Sequence, residues 1–331
     1  MARVLVTGGA GYIGSHACKA LAAAGHTPVA YDNLSRGNAW AVKWGPLEEG
    51  DILDQDRIEA AIARHQIDAV MHFAALAYVA ESVADPALYY RTNAMGVLSL
   101  LEAMRARGVG RLVFSSTCAT YGSPEATPIR EDAPQAPINP YGASKLMAER
   151  MIADFIAAYG LKAVAMRYFN AAGADPECEI GEAHDPETHL IPLLLDAAAT
   201  GGAFTIFGDD YATADGSCVR DYVHVADLAS AHVLACETLD AAQGLVAYNL
   251  GTGQGLSNFE ILEAVRRRTG CAIRSAVGPR RPGDPPVLTA DPTRANTELG
   301  WTPRLSGLDD IIDTAWRWRM RNARGEETAA G

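Results

Sequence analysis

The feature that most constrains the fold is a short apolar run that leads into closely spaced glycines near the start of the chain. Arg3-Val4-Leu5-Val6-Thr7 has the β-branched, apolar character of a buried strand. The alanine-rich stretch 12–24 is typical of a helix. A strand, a tight turn and a helix in this order predict the first half of a βαβ unit.

The turn itself reads Thr7-Gly8-Gly9-Ala10-Gly11-Tyr12-Ile13-Gly14 and has G-x-x-G-x-x-G spacing. Gly8 allows the tight turn, Gly11 lets a diphosphate approach the helix N-terminus, and Gly14 lets the helix pack closely on the strand. We therefore expect a dinucleotide to bind at Gly8, Gly11, Tyr12, Ile13 and Gly14. An ordinary glycine-rich turn is the alternative interpretation.

An acidic residue follows the second strand pattern, Pro28 to Tyr31, about 20 residues beyond the glycines. Asp32 in that place can accept hydrogen bonds from ribose hydroxyls and repel a 2′-phosphate, which favours NAD over NADP, although Arg36 is an opposing sign. Further cofactor contacts are expected at Asn33, at Asp51 and Ile52 around the adenine, and at Phe73, Ala74 and Ala75 beneath the cofactor. Asp51 could instead cap a helix, and Phe73 could be plain core.

Strand and helix patterns alternate through the first half of the chain. Strands are predicted at 69–73, 111–116 and 163–168, and helices near 54–64, 87–107 and 141–159. This order predicts an α/β fold with a Rossmann-type doubly wound parallel sheet. The expected division is an NAD-binding domain over 1–171 and a smaller α/β substrate-binding lobe over 172–331, with a segment near 221–250 that returns to the first domain. The lobe's helices are expected at 190–200, 226–239, 258–269 and 308–321, and 325–331 reads as a loose tail.

Bulk properties narrow the classes of protein. A formal net charge of -12 without a Lys/Arg cluster argues against nucleic-acid binding. Six cysteines without a Cys-x-x-Cys pair predict reduced thiols, a cytoplasmic location and no metal cluster. No apolar run has the length of a membrane span, so no membrane partner is expected.

Three polar residues form the candidate catalytic set. Tyr141 and Lys145 stand one helical turn apart. Thr117 stands directly at the end of the strand predicted at 111–116, where open α/β sheets place their ligands. A tyrosine can act as a base near neutrality only if its phenolate is stabilised by several kcal/mol. We expect the Lys145 ammonium and an oxidised nicotinamide to lower the pKa of Tyr141. A solvated Tyr/Lys surface pair is the alternative.

These segments, together with Tyr121-Gly122, Arg167 to Gly173, Val219 to Tyr222 and Arg280 to Asp284, resemble the extended short-chain dehydrogenase/reductase family, and within it the UDP-sugar 4-epimerases. The resemblance implies that Tyr141 is the base, that Thr117 shuttles protons, and that Lys145 also binds the nicotinamide ribose. It also implies cofactor contacts at Ser115 and Tyr168 and a supporting role for Asn93. The implied substrate contacts are Thr117, Tyr141, Phe169, Asn170, His189, Leu190, Thr205, Phe207, Arg220, Tyr222, Arg281, Asp284 and Leu288.

Each implied substrate contact has a simpler interpretation. Arg220 could pair with its neighbour Asp221, Phe207 could belong to the core, and His189 could merely begin a helix. Where many relatives have a lysine, the chain reads Leu76-Ala77-Tyr78, so one phosphate contact is missing or replaced. Leu288 stands where relatives gate the C2 substituent of the sugar, and it is intermediate in size.

The resemblance implies that UDP-glucose and UDP-galactose are interconverted through a 4-keto intermediate, with NAD as the cofactor, by a homodimer packed through the helices 87–107 and 141–159. UDP-xylose/UDP-arabinose and UDP-N-acetylhexosamines stay open as substrates. A nucleotide-sugar reductase or dehydratase and a non-catalytic NAD sensor are the rival functions. Related dehydratases have an Asp-Glu pair where this chain has Cys118 and Ala119, which argues against dehydration.

Overall fold

A computed structural model describes residues 1–281 and 284–323. The predicted tail 325–331 lies outside the described residues, as do Pro282 and Gly283. Within the described ranges, no helix combines the length and the apolar character needed to cross a membrane.

The described residues form strands of two to seven residues: β1 Arg3–Thr7, β2 Thr27–Asp32, β3 Leu47–Glu49, β4 Ala69–His72, β5 Arg111–Thr117, β6 Lys162–Tyr168, β7 Asn170–Ala172, β8 Ala203–Phe207, β9 Val219–His224, β10 Leu245–Leu250, β11 Gly255–Ser257, β12 Arg274–Gly278 and β13 Val287–Leu288. The α-helices are α1 Tyr12–Ala23, α2 Gln55–His65, α3 Val79–Ala84, α4 Pro86–Tyr89, α5 Gly96–Ala106, α6 Pro140–Tyr159, α7 Leu190–Thr200, α8 Val225–Thr238, α9 Asn258–Thr269, α10 Thr293–Glu298 and α11 Leu308–Ala323. A π-helical segment, Tyr90–Met95, joins α4 to α5.

The central sheet has seven parallel strands in the order β10-β6-β5-β4-β1-β2-β3. From β1 the chain winds outward to β3, then crosses back to β4 on the other side of β1. Ligands of open α/β sheets bind at the carboxyl ends of the strands at this reversal, here between β1 and β4. The predicted doubly wound α/β fold is confirmed.

Apolar side chains cover both faces of this sheet. On one face, α1 and α8 pack on the sheet and share a core with it that includes Val6, Met71 and Leu228. On the other, α2, α5 and α6 cover residues such as Leu5 and Phe114. Burial on both faces explains why the central strands read as continuous apolar runs rather than alternating ones.

The second half of the chain forms two small sheets. Strand β9 pairs with β7, β11 and β13, and β8 pairs with β12. Helices α7, α9 and α11 share a core with residues such as Leu194, Ile261 and Ile311. Strand β10 pairs with β6 at the edge of the central sheet, and α8 packs against α1. The division at residue 171, with a return near 221–250, stays a prediction.

Candidate functional site

The carboxyl ends of the central strands open into a cavity of about 540 Å³. A second cavity of about 210 Å³ adjoins it and shares residues such as Asn170, His189 and Arg220. The larger cavity reaches from the glycine loop after β1 to β13, so one cleft spans both halves of the molecule. Its length suits an extended ligand, or two ligands end to end.

The glycine loop approaches its neighbours too closely for side chains. A Cβ on Gly14 would lie 2.1 Å from the carbonyl oxygen of Gly8, and one on Gly8 would lie 2.6 Å from the backbone nitrogen of Ala74. Gly8 also has a positive φ of 72°. The loop and the start of α1 therefore present backbone to the cleft, as a bound diphosphate requires. Gly8, Gly11, Tyr12, Ile13 and Gly14 all line the larger cavity.

Asp32, at the end of β2, is buried and also lines this cavity. Its carboxylate accepts hydrogen bonds from the backbone nitrogens of Ala10 (3.0 Å) and Leu34 (2.9 Å), which fix its direction. Burial raises the pKa of Asp32 and these hydrogen bonds act in the opposite direction. Its remaining lone pairs are free to accept from ribose hydroxyls.

Asp51 does not line either cavity. Its carboxylate accepts from Asn33 Nδ2 (2.8 Å) and from the backbone nitrogen of Leu53 (2.9 Å). Asp54, rather than Asp51, caps α2. Asp51 is thus placed to orient Asn33, whereas Asn33, Ile52, Phe73, Ala74 and Ala75 line the larger cavity.

Thr117, Tyr141 and Lys145 come together at the centre of the cleft. Tyr141 and Lys145 project from the first two turns of α6, and Thr117 is the last residue of β5. The Thr117 side chain acts to lower the pKa of the Tyr141 phenol, and its Oγ1 accepts from the backbone nitrogen of Ala119 (3.1 Å). The Nζ of Lys145 donates to the carbonyl oxygen of Ser115 (2.9 Å) and lies 5.0 Å from the centre of the Phe114 ring. All three residues line the larger cavity.

The surroundings of Tyr141 within the protein raise its pKa, and the predicted joint effect of Lys145 and an oxidised nicotinamide stays a prediction. Burial raises the pKa of Tyr141, Tyr168 raises it further, and the Thr117 side chain offsets only part of the shift. Burial also lowers the pKa of Lys145 to about 7, against the opposing charge of Glu149. Because burial disfavours the charged form of both groups, a phenolate here needs a further positive charge.

Two supporting contacts surround this set. Tyr168, at the end of β6, shares a 2.6 Å hydrogen bond with Ser115, and both line the cavity. Asn93 is buried in the π-helical segment outside the cavity, where it holds both backbone groups of Leu76 and donates to Ser144 Oγ (3.1 Å). It therefore links the cleft floor at Leu76 to the helix that carries Lys145.

A buried ion pair was missed in the sequence. Glu149, two turns after Tyr141, accepts from Arg167 Nη2 (2.6 Å) and from Ser116 Oγ (2.5 Å). Arg167 Nη1 also donates to the hydroxyl of Tyr121 (2.9 Å). The pair fixes α6 against β5 and β6, which carry the other cleft residues. Glu149 lies four residues after Lys145 on α6, and this spacing was the sequence signal that could have revealed it.

Fixed charges mark the substrate side of the cleft. Arg220 on β9 lies 3.5 Å from Asp284 and donates to the carbonyl oxygens of Val219 and Pro285. The alternative pairing with Asp221 is wrong, because Asp221 is buried and accepts from backbone groups of Thr252, Gly253 and Ala290. The Arg281 guanidinium stands 4.2 Å from the centre of the half-buried Phe207 ring.

The other predicted substrate residues divide between the two cavities. The larger one is lined by Phe169 and Leu288, the smaller one by Leu190, Thr205, Phe207 and Tyr222, and both by Asn170, His189, Arg220, Arg281 and Asp284. The structure therefore brings together every predicted substrate residue. Their roles stay predictions.

Several other lining residues were not predicted, among them Arg36, Tyr78, Glu182 and His184. Arg36 was weighed only as a sign against NAD. The run from Glu182 to His189 carries five ionisable side chains within eight residues. This signal was available in the sequence, but the segment was interpreted as part of a loop. It packs edge-on against aromatic rings of the first half, since His184 lies 6.1 Å from Tyr12 and 5.9 Å from Tyr78 between ring centres.

Comparison with known proteins agrees with this architecture. The model of the NAD dependent epimerase/dehydratase family matches residues 4–251. The chain is 50% identical to a UDP-glucose 4-epimerase of Rhizobium meliloti over 323 residues, which cover 97% of this chain and 98% of that protein.

Solved structures give the same result. A crystal structure of UDP-glucose 4-epimerase from Brucella ovis in complex with NAD is 55% identical, with a TM-score of 0.93 over 96% of this chain and 98% of that one. A UDP-glucose-4-epimerase from Stenotrophomonas maltophila with bound NAD and formylated UDP-arabinopyranose is 41% identical, with a TM-score of 0.95 over 98% and 100% of the two chains. This chain therefore belongs to the NAD dependent epimerase/dehydratase family.

Proposed function

We propose that this chain is an isomerase, an NAD-dependent UDP-sugar 4-epimerase that interconverts UDP-glucose and UDP-galactose through a 4-keto intermediate. The observation that carries the proposal is one cleft that joins a backbone-lined dinucleotide loop, the Thr117/Tyr141/Lys145 set and an arginine-lined end. Oxidation and reduction at one carbon need the first two, and a nucleoside diphosphate needs the third.

The cleft fits NAD. Glycines 8 and 14 stand where side chains would collide with backbone, and the carboxylate of Asp32 is buried at the expected ribose position. NAD bound there would supply the hydride acceptor and donor for the sugar and the positive charge of its oxidised ring. That charge is the further stabilisation that the buried phenol of Tyr141 requires.

The side chains of the cleft would handle the proton. Tyr141 takes the proton of the C4 hydroxyl and returns it to the ketone after the sugar has turned over. Thr117, which lines the same cavity as the phenol, relays the proton to either orientation of the sugar oxygen. Lys145, held by the carbonyl oxygen of Ser115, contacts the cofactor ribose and contributes positive charge to the extent that it is protonated.

Arginines at the far end would bind the diphosphate. Arg220 is held between Asp284 and two carbonyl oxygens, which gives a guanidinium of fixed direction. Arg281 packs on Phe207, where it can reach a second phosphate oxygen. Two pre-positioned guanidinium groups suit the two negative charges of UDP.

Dehydration is the less favoured chemistry. Cys118 and Ala119, which follow Thr117, offer no acid for a leaving hydroxyl, since burial raises the pKa of Cys118 to about 12. For the sugar itself, the partly buried Leu288 lines the larger cavity. The neighbour with a bound UDP-arabinopyranose derivative makes UDP-arabinose the second substrate to test.

We further propose a cytoplasmic homodimer. Met95 on the π-helical segment and Met147 on α6 are each about half exposed, and Val83 on α3 is 64% exposed. Apolar side chains of this size on adjoining helices favour contact with a second copy. Cys18, Cys118, Cys218, Cys236 and Cys271 are free thiols, which supports a reducing compartment.

The experiment is to mix the purified protein with UDP-galactose and no added NAD. Appearance of UDP-glucose, without NADH in solution, supports the proposal. Accumulation of free NADH with an oxidised or dehydrated sugar would indicate a reductase or dehydratase. Tight binding of NAD without any conversion would indicate a sensor and contradict the proposal.

A further inference from the structure

Two glutamates and two histidines meet on the segment before α7. Each of Glu182, His184, Glu187 and His189 has a side-chain oxygen or nitrogen in this cluster, and these four atoms all lie within 4.8 Å of one another. Glu182 Oε1 lies 3.0 Å from Nδ1 of His184 and 2.5 Å from Nδ1 of His189. Because a carboxylate can only accept, both rings donate through Nδ1. The Nε2 of His189 is thus the nitrogen left for a ligand.

His189 occupies the place where the two cavities join, and it lines both of them together with Arg220 and Arg281. It is also the residue that precedes α7, an eleven-residue helix whose first-turn amides favour an anion. A diphosphate bound by the two arginines would therefore lie beside this imidazole.

The surroundings of His189 favour its charged form. Burial acts to lower the pKa of His189, but hydrogen bonds to Glu182 and Glu187 outweigh burial and raise it from 6.5 to about 10. Glu182 is nearly buried, with 7% of its side chain exposed. The other groups near the ring are His184 at 5.3 Å and Tyr78 at 6.4 Å between ring centres, with Arg36 beyond, over the Tyr78 ring.

The same four residues could in principle hold a metal ion, but the distances favour shared protons. Two ligands of a tetrahedral zinc ion stand about 3.3 Å apart, given bond lengths of about 2.0–2.1 Å. The contacts of 2.5 and 3.0 Å from Glu182 to the two rings are instead hydrogen-bond distances.

We propose that Glu182 is a positioning residue that holds His189 as a fixed cationic donor to the diphosphate of the UDP-sugar. The inference rests on the proposed function. It deepens that function by adding a third cation to Arg220 and Arg281, and it assigns Glu182 a role that acts only through His189.

The test is the pH dependence of substrate affinity in the NAD-loaded enzyme. Glu182→Gln keeps the shape of the side chain but removes the nearer of the two charges that hold the imidazolium, since Glu182 lies 2.5 Å and Glu187 3.4 Å from Nδ1 of His189. Above neutral pH we expect KM for UDP-galactose to rise about tenfold in this variant, the effect of losing a charge-assisted hydrogen bond, with kcat unchanged. The wild type should hold its KM nearly constant from pH 6 to 9. His189→Asn, which keeps an uncharged donor, should have a raised KM that does not depend on pH.

A matched control is Glu48→Gln. Glu48 accepts from Arg64 and His65 on α2, outside both cavities, so KM should not change at any pH. A second readout is inhibition by UDP and by uridine, since Glu182→Gln should weaken UDP and leave uridine unchanged.

The proposal is overturned if Glu182→Gln and His189→Asn keep the wild-type KM at pH 8, or if uridine weakens as much as UDP. It is also overturned if the wild type holds one zinc ion that Glu182→Gln loses. If the wild type binds UDP but does not convert UDP-galactose, the proposed function fails, while the difference between UDP and uridine still tests Glu182.

Discussion

The two ends of the cleft hold their ligands by different means. At the cofactor end, the glycine loop offers backbone amides, and the residues beneath it are buried strands of the central sheet. At the substrate end, polar side chains come from three separate segments: Arg220 and His189 are held by carboxylates and carbonyl oxygens, and Arg281 packs on the Phe207 ring. One end is fixed by close packing, the other by electrostatics.

This difference predicts how each end responds to change. Added side-chain volume should weaken NAD binding at the cofactor end, and removal of a charge should weaken UDP binding at the substrate end. Each kind of change should have little effect on the other end. The catalytic set of Thr117, Tyr141 and Lys145 lies between the two ends, and substitutions in it should follow neither pattern.

Tyr141→Phe, which lies between the two ends of the cleft, should have the largest effect. It removes the one hydroxyl that can exchange a proton with the sugar, so we expect kcat to fall by about 10²–10⁴-fold. Retained NAD and the affinity for UDP should stay as in the wild type, measured by cofactor content and by titration. Turnover within a factor of three of the wild type would remove Tyr141 from the mechanism.

Glu149→Gln should be the most destabilising change that leaves the cleft lining intact. It leaves the buried Arg167 without its counter-charge, which costs about 3–5 kcal/mol of the free energy of unfolding. Denaturant unfolding measures this. The control is Glu263→Gln, which removes an exposed partner of Arg266 and should change stability by no more than about 1 kcal/mol. Equal losses in both variants would mean that the buried pair is not special.

Gly14→Ala tests packing at the cofactor end. Its Cβ would meet the carbonyl oxygen of Gly8 at 2.1 Å, so we expect a loss of about 1–3 kcal/mol in stability and a lower NAD content. Gly110→Ala is the matched control, because its Cβ would have no neighbour within 4 Å and its φ is not positive. The affinity for UDP should fall in neither variant.

Arg220→Gln tests electrostatics at the substrate end. Loss of a charge-assisted contact should weaken UDP by at least tenfold, or about 1.4 kcal/mol, while NAD content and stability stay near the wild type. Titration of the NAD-loaded protein with UDP measures this. A loss of NAD as large as the loss of UDP affinity would show that the two ends are not independent.

Lys145 should give a pH dependence of stability. Its pKa is about 7 in the fold and about 10.5 when unfolded, so between these values the unfolded chain binds more protons and stability rises with pH. The free energy of unfolding of the wild type, minus that of Lys145→Met, should therefore increase from pH 7 to pH 9. A flat difference would mean that Lys145 is charged in the fold.

The sequence allowed the cofactor end to be predicted because periodicity and glycine spacing are local signals. Five of the seven central strands were predicted within a residue or two, as was α6 at 141–159 against Pro140–Tyr159, but the central strand β10 was not predicted. Short strands such as β3, β7 and β13 were missed, since two or three residues carry no period.

The substrate end was predicted mainly through the family resemblance. Nothing local to Arg220 reveals that Asp284, 64 residues away, holds its guanidinium, or that Glu182 holds His189. The same limit applies to the pKa of Tyr141. The spacing of Tyr141 and Lys145 shows that they are neighbours, but not that both are buried deeply enough for burial to dominate the pKa of each.

The central claim is that one hydrogen leaves the sugar at C4 and returns to the same carbon without leaving the protein. Its most direct test uses UDP-galactose with deuterium at C4, purified protein, and an excess of unlabelled NADH in solution. The account predicts that the UDP-glucose formed keeps the deuterium at C4. Loss of the label to solvent, or to the NADH in solution, would contradict it.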